Sequence, residues 1–167
     1  MSTKSLIVVQ FGDCSINFRR HWGGDPVIVG SEMLDHLASA ETIKPRSFFH
    51  TGSYLLRLMF ADGYVDDGLP TYEAYITNDG NDGVYGDWEI AYRFECDGDG
   101  IWRVGYVELC DGEPWAELAE TAKWFSPTEF REFIEQKYVK DQSQGITYDV
   151  QVKDTLLKQL RNPSKGS

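Results

Sequence analysis

The chain has 167 residues, a formal net charge of −11 and three cysteines. That length suits one domain able to bury a core without disulfides or metals. The acidity excludes a protein that grips nucleic acid through a basic face, and the absence of any run of ~18 apolar residues excludes a membrane-spanning helix.

The charge is uneven. Residues 1–60 carry six basic and five acidic side chains, residues 61–120 two and sixteen, and residues 121–167 eight and six. The middle third holds the acidity, which leaves room for a local anion site near the N-terminus. Cys14, Cys96 and Cys110 are odd in number and lack Cys-x-x-Cys spacing, so they point to neither a disulfide framework nor a zinc site. Cys96 and Cys110 flank one predicted strand, ~30 Å apart and beyond disulfide reach. A reducing, cytoplasmic setting is the simplest expectation. The apolar run at the start is too short for a signal peptide and lacks a cleavage site.

Residues 6–11 read as a strand. Gly12-Asp13 has the glycine-first order of a type II′ turn. Pairing Phe11 with Cys14 sets Val9 opposite Ile16 and Ile7 opposite Phe18, all apolar on one face. Asp25-Pro26 has the form of an N-cap and first helical residue, and the apolar spacing predicts a helix over 26–39. A second helix is predicted over 46–60, with Phe48, Gly52, Leu55, Leu56 and Met59 on one face. A loop follows at 61–71, then a strand at 72–77 and a turn-rich loop over Asn78–Gly86.

A hairpin comes next. A three-residue loop at Asp97–Asp99 pairs Phe94 with Trp102, Tyr92 with Val104 and Ile90 with Tyr106. It also sets Arg93 against Arg103, an unfavourable pair unless an acid such as Glu95 bridges them. Residues 115–124 are predicted as a short helix. Ser126-Pro127-Thr128-Glu129 opens another as a capping box, with Phe130, Phe133, Ile134 and Tyr138 on one face. A last strand over 146–152 and a last helix over 153–161 complete the pattern. The expected fold is α+β: a mainly antiparallel sheet of hairpins with helices packed on one face. One domain spans 1–160, and 161–167 is a disordered tail.

The densest chemical cluster is Arg19, Arg20, His21, Trp22, Gly23, Gly24 and Asp25. In one reading it is an anion site: a Gly-Gly turn feeds a helix N-terminus, the basic side chains grip phosphate and Trp22 stacks on a base. In the other, Trp22 is core, Asp25 only caps the helix and the arginines solubilise a strand end. The aspartates at Asp79, Asp82, Asp87, Asp97, Asp99 and Asp111 lack the spacing of a calcium loop. They read as solvated turns or as an acidic decoy that imitates a phosphate array. No catalytic or dinucleotide fingerprint is present, so no cofactor and no metal are expected; a hydrolase built on His21 and Asp25 is a third reading. His36 is expected on the outer face of its helix, and His50 is equally consistent with a packed or an exposed position. Trp115, Trp124 and Phe125 beside a charged loop point to aromatics that a homodimer would bury.

The stretch Arg20-His21-Trp22-Gly23-Gly24-Asp25-Pro26, after a first hairpin, resembles a group of uncharacterised phage and prophage proteins with Arg-His-Trp-Asp-Gly-Tyr-Pro in the same place. Gly86-Asp87-Trp88-Glu89-Ile90-Ala91-Tyr92 is similar to a second strand of that group. The likeness covers about residues 5–108 and departs at Gly23 and Asp25. It implies a virus or mobile-element setting rather than a chemistry. The resulting expectation is a non-enzymatic anti-defence accessory protein. It sequesters a small anionic ligand such as a host immune signalling nucleotide or, as the alternative, blocks a host defence protein through the acidic surface.

Overall fold

The computed structural model describes residues 3–21, 23–42, 48–61, 71–75, 88–108, 110–113 and 115–146. Trp22, Asp79, Asp82, Asp87, the loops predicted within 62–70 and 78–86, and the elements predicted beyond residue 146 lie outside them, as do the tail residues 161–167.

Among the described residues six strands form one sheet: β1 (Ser5–Phe11), β2 (Cys14–Arg20), β3 (Glu73–Tyr75), β4 (Ile90–Cys96), β5 (Trp102–Glu108) and β6 (Lys123–Phe125). Their order is β3-β2-β1-β4-β5-β6. Only β1 and β4 run parallel; every other neighbour is antiparallel. The fold is α+β, as the pattern of elements predicts.

Helices α1 (Pro26–Glu41), α2 (Phe48–Phe60) and α4 (Pro127–Ser143) accompany the sheet, with the short α3 (Trp115–Leu118) before β6. The three long helices share one core with Ile7, Val9, Phe11, Phe18, Tyr92 and Phe94. The second sheet face holds a smaller core, in which Leu6, Val8, Ala91 and Val107 meet Trp88 and Trp115. Because β1 is buried on both faces, Leu6–Val9 reads as a continuous apolar run rather than an alternation.

The first hairpin has the predicted register, Phe11 with Cys14, Val9 with Ile16 and Ile7 with Phe18. Gly12 takes φ 61°, a value the turn needs and glycine supplies freely. Asp25 caps α1 and accepts from the Val27 N–H at 2.9 Å. The capping box at Ser126 and Glu129 is complete, and Phe130, Ile134 and Tyr138 are buried beneath it.

The second hairpin differs from expectation by a two-residue slip. Phe94 pairs with Val104, Tyr92 with Tyr106 and Ile90 with Glu108. The loop runs from Asp97 to Ile101, because the Asp97 carboxylate accepts from the N–H groups of Asp99 and Ile101 and closes a wider turn. A slip of two preserves the face of every side chain, so the apolar alternation alone does not distinguish the two registers. The slip brings Glu95 opposite Arg103, and Glu95 bridges both arginines: Arg93 Nε at 2.9 Å and Arg103 Nε at 2.5 Å.

The helix predicted over 115–124 ends at Leu118, and residues 123–125 form edge strand β6. Gly105 explains the change. Having no side chain, it leaves a slot on β5 that Trp115 and Trp124 fill, drawing β6 onto the sheet. Of the aromatics expected to be free for a homodimer, Trp115 is buried, while Trp124, edge to face with it, and Phe125, stacked on Phe133, are half-buried.

Candidate functional site

The segment expected to bind an anion leaves β2, crosses the end of the sheet and enters α1. Alternation along β2 sends Arg19 and Arg20 to opposite faces. Arg20 turns toward the long helices and is 6% exposed. Its Nη1 and Nη2 donate to the two Glu32 carboxylate oxygens, and Nη1 also donates to the Tyr72 hydroxyl at 3.1 Å. Tyr72 donates in turn to Glu32 at 2.6 Å, and its ring lies 5.2 Å from the Arg20 guanidinium. Burial alone would lower the Arg20 pKa, but the Tyr72 and Glu32 oxygens outweigh it and hold the group firmly charged. His21 Nε2 lies 2.6 Å from Glu73 Oε2 on β3. Residues 20 and 21 are thus tied to residues 72 and 73 in two successive contacts.

Gly23 adopts φ 65°, and a Cβ on Gly24 would lie 2.7 Å from the Thr3 carbonyl oxygen. The crossing therefore depends on both glycines for geometry. The Gly24 N–H donates to that carbonyl at 2.8 Å, and Tyr92 donates to the Gly24 carbonyl at 2.7 Å. At the helix start the N–H groups of Val27, Ile28 and Val29 all bond to Asp25. A carboxylate already sits where a phosphate would approach, with Lys137 Nζ 3.7 Å from it.

This end of the sheet is also strongly acidic. Glu89, Glu108, Asp111, Glu113, Glu117 and Glu120 are all exposed. Ile90 pairs with Glu108, and the chain at 110–113 bonds back to Trp88 and Glu89, which gathers Glu89, Glu108, Asp111 and Glu113 around one end of the β4–β5 hairpin; Glu117 and Glu120 follow on and just after α3. Asp97 and Asp99 are exposed at the other end, ~20 Å away along seven strand residues. The aspartates expected to act as one decoy surface thus divide, Asp111 with one group and Asp97 and Asp99 with the other.

His21 pairs with Glu73 rather than with Asp25. His36 is half-buried with its ring 6.4 Å from Tyr72, in place of the expected outer face, and His50 is exposed. Burial pushes the Cys96 and Cys110 thiols up to about 11, which suppresses the reactive thiolate. Cys14 is exposed at the first turn. A maleimide applied to the native chain at pH ~8 is expected to label Cys14 alone, with Cys96 and Cys110 reacting only after unfolding. Labelling of all three at equal rates would contradict their burial. Among the described residues no group of three or more His, Cys, Asp or Glu side chains is placed to hold a metal. No described helix is long and apolar enough to cross a membrane.

Glu32, Tyr72, Glu73 and Lys137, which complete the polar cluster, are not apparent in the sequence cluster 19–25. One signal was available for Glu73. Pairing β3 with β2 sets it directly opposite Arg19, a favourable opposite-charge pair. No protein-family model matches the chain, and neither a curated protein nor a solved structure matches it.

Proposed function

We propose that this chain is a non-catalytic accessory protein that works by binding, and that it engages a basic protein through its acidic surface. The observation that carries this reading lies between residues 88 and 120. The two basic side chains there, Arg93 and Arg103, are both bridged by Glu95, while eight other carboxylates are exposed. Such a surface attracts a basic partner at long range and repels nucleic acid. The resemblance of residues 20–26 to phage and prophage proteins supports a setting in a host cytoplasm, with a host defence protein as the partner.

Sequestration of a small anionic ligand, such as a signalling nucleotide, is the weaker proposal. Arg20 and Asp25 are committed to internal contacts, and the same end of the sheet presents the exposed carboxylates of Glu89, Glu108, Asp111 and Glu113. A hydrolase on His21 and Asp25 is weaker again, since His21 is paired elsewhere.

The test is affinity capture from host lysate by the parent chain and by a variant carrying Glu113→Gln, Glu117→Gln and Glu120→Gln. A basic protein held by the parent, released between ~50 and ~200 mM salt and lost in the variant is expected. Equal capture by both, indifferent to salt, argues against the acidic surface.

A further inference from the structure

We propose that the tip of the β4–β5 hairpin is a docking knob for a basic protein surface that carries an apolar pocket. The inference rests on the acidic-binding reading and names where the contact is anchored.

Three observations meet at the tip. Ile101 is 64% exposed. Its N–H donates to the Asp97 carboxylate at 2.9 Å and its carbonyl accepts from the Asp97 N–H at 3.0 Å. These bonds fix the backbone and ask nothing of the side chain, at a position where polar turn residues would serve the fold equally. Two residues on, the Arg103 guanidinium lies 3.9 Å from the centroid of the Trp124 ring, with its side chain 55% exposed. Glu95 clamps it there and holds Arg93 as well, whose guanidinium lies 5.7 Å from the Trp115 centroid. An arginine already stacked and clamped loses little freedom when a partner covers it. Arginine and tryptophan are also the side chains that most often anchor protein interfaces.

The charge at the tip selects the partner. Asp97 and Asp99 are exposed, and no basic side chain pairs with either among the described residues. The complementary surface therefore places cations around a pocket that receives Ile101. A second copy docking tip to tip sets Asp97 and Asp99 against like charge.

The test is an NMR titration of the full-length ¹⁵N-labelled chain with two synthetic probes, a peptide of alternating lysine and leucine and one of alternating lysine and glycine. The lysine–leucine peptide is expected to shift the amides of residues 97–103 and the Trp124 indole, and to bind ~10-fold more weakly to Ile101→Ser. The lysine–glycine peptide is expected to leave the tip little changed. Because Ile101 is exposed, Ile101→Ser keeps the fold, which the unshifted remainder of the spectrum verifies. Shifts confined to Glu113–Glu120 and unaffected by Ile101→Ser overturn the knob while leaving the acidic surface standing. No shift with either peptide overturns both.

Discussion

Replacing Glu32 with alanine is expected to destabilise the fold by about 3 kcal/mol, the low end of the roughly 3–5 kcal/mol seen when one partner of a buried ion pair is removed. The mechanism is a buried guanidinium that loses its opposite charge. Arg20 is 6% exposed and takes two contacts from the Glu32 carboxylate. Without that carboxylate its charge loses both of those contacts, keeps the Tyr72 hydroxyl, and has little access to water. The low end applies because the Glu32 side chain is 30% exposed, so solvent reaches one edge of the site. Glu32→Gln retains hydrogen-bonding atoms and should cost less. A double variant, Arg20→Met with Glu32→Leu, removes both charges at similar volume and should recover most of the loss. Urea unfolding with an unchanged denaturant slope measures all three. If Glu32→Ala stays within ~0.5 kcal/mol of the parent, Arg20 is not held as a structural clasp, and its use in gripping an anion regains weight.

Gly52→Ala is expected to cost about 2 kcal/mol, even though alanine favours a helix over glycine by about 1 kcal/mol. Gly52 faces the Phe11 ring. An added Cβ would lie 2.5 Å from Cδ1 and 2.7 Å from Cδ2. Phe11 is 6% exposed on the central strand, and an aromatic ring cannot flex aside as an aliphatic tip can. The helix must therefore lift from the sheet. Gly98→Ala is the control, because nothing lies within 4 Å of its added methyl. It should be neutral or stabilising by a few tenths to ~1 kcal/mol through the unfolded chain. Equal effects of the two substitutions would contradict the close approach of α2 to β1.

These two sites mark the boundary of what local sequence determines. Asp25-Pro26 and Ser126-Pro127 announce their helices because capping is settled within four residues. Gly12-Asp13 fixes its hairpin for the same reason. The parallel pairing of β1 with β4 joins segments about eighty residues apart, and no local rule specifies it. The β4–β5 slip escapes detection because both registers keep the same residues inside. At the candidate site, Arg20, His21 and the Gly-Gly turn stand out in the sequence, but the acid that pairs with Arg20 comes from α1 and the one that meets His21 from β3. An anion site and an internal clasp look alike until those partners are in place.

On the proposed reading the acidic surface binds, and Arg20, His21 and Asp25 hold the fold rather than a ligand. Native mass spectrometry of the full chain bears on it most directly. The parent and the Glu113→Gln, Glu117→Gln, Glu120→Gln variant are each offered a panel of cyclic dinucleotides, cyclic oligonucleotides and ADP-ribose derivatives, and separately the protein captured from host lysate. The expected result is a discrete complex of the parent with a basic protein, absent for the variant, and no retained nucleotide on either. A nucleotide held by both chains alike, with no dependence on the three carboxylates, would overturn binding through the acidic surface and return the function to residues 19–25.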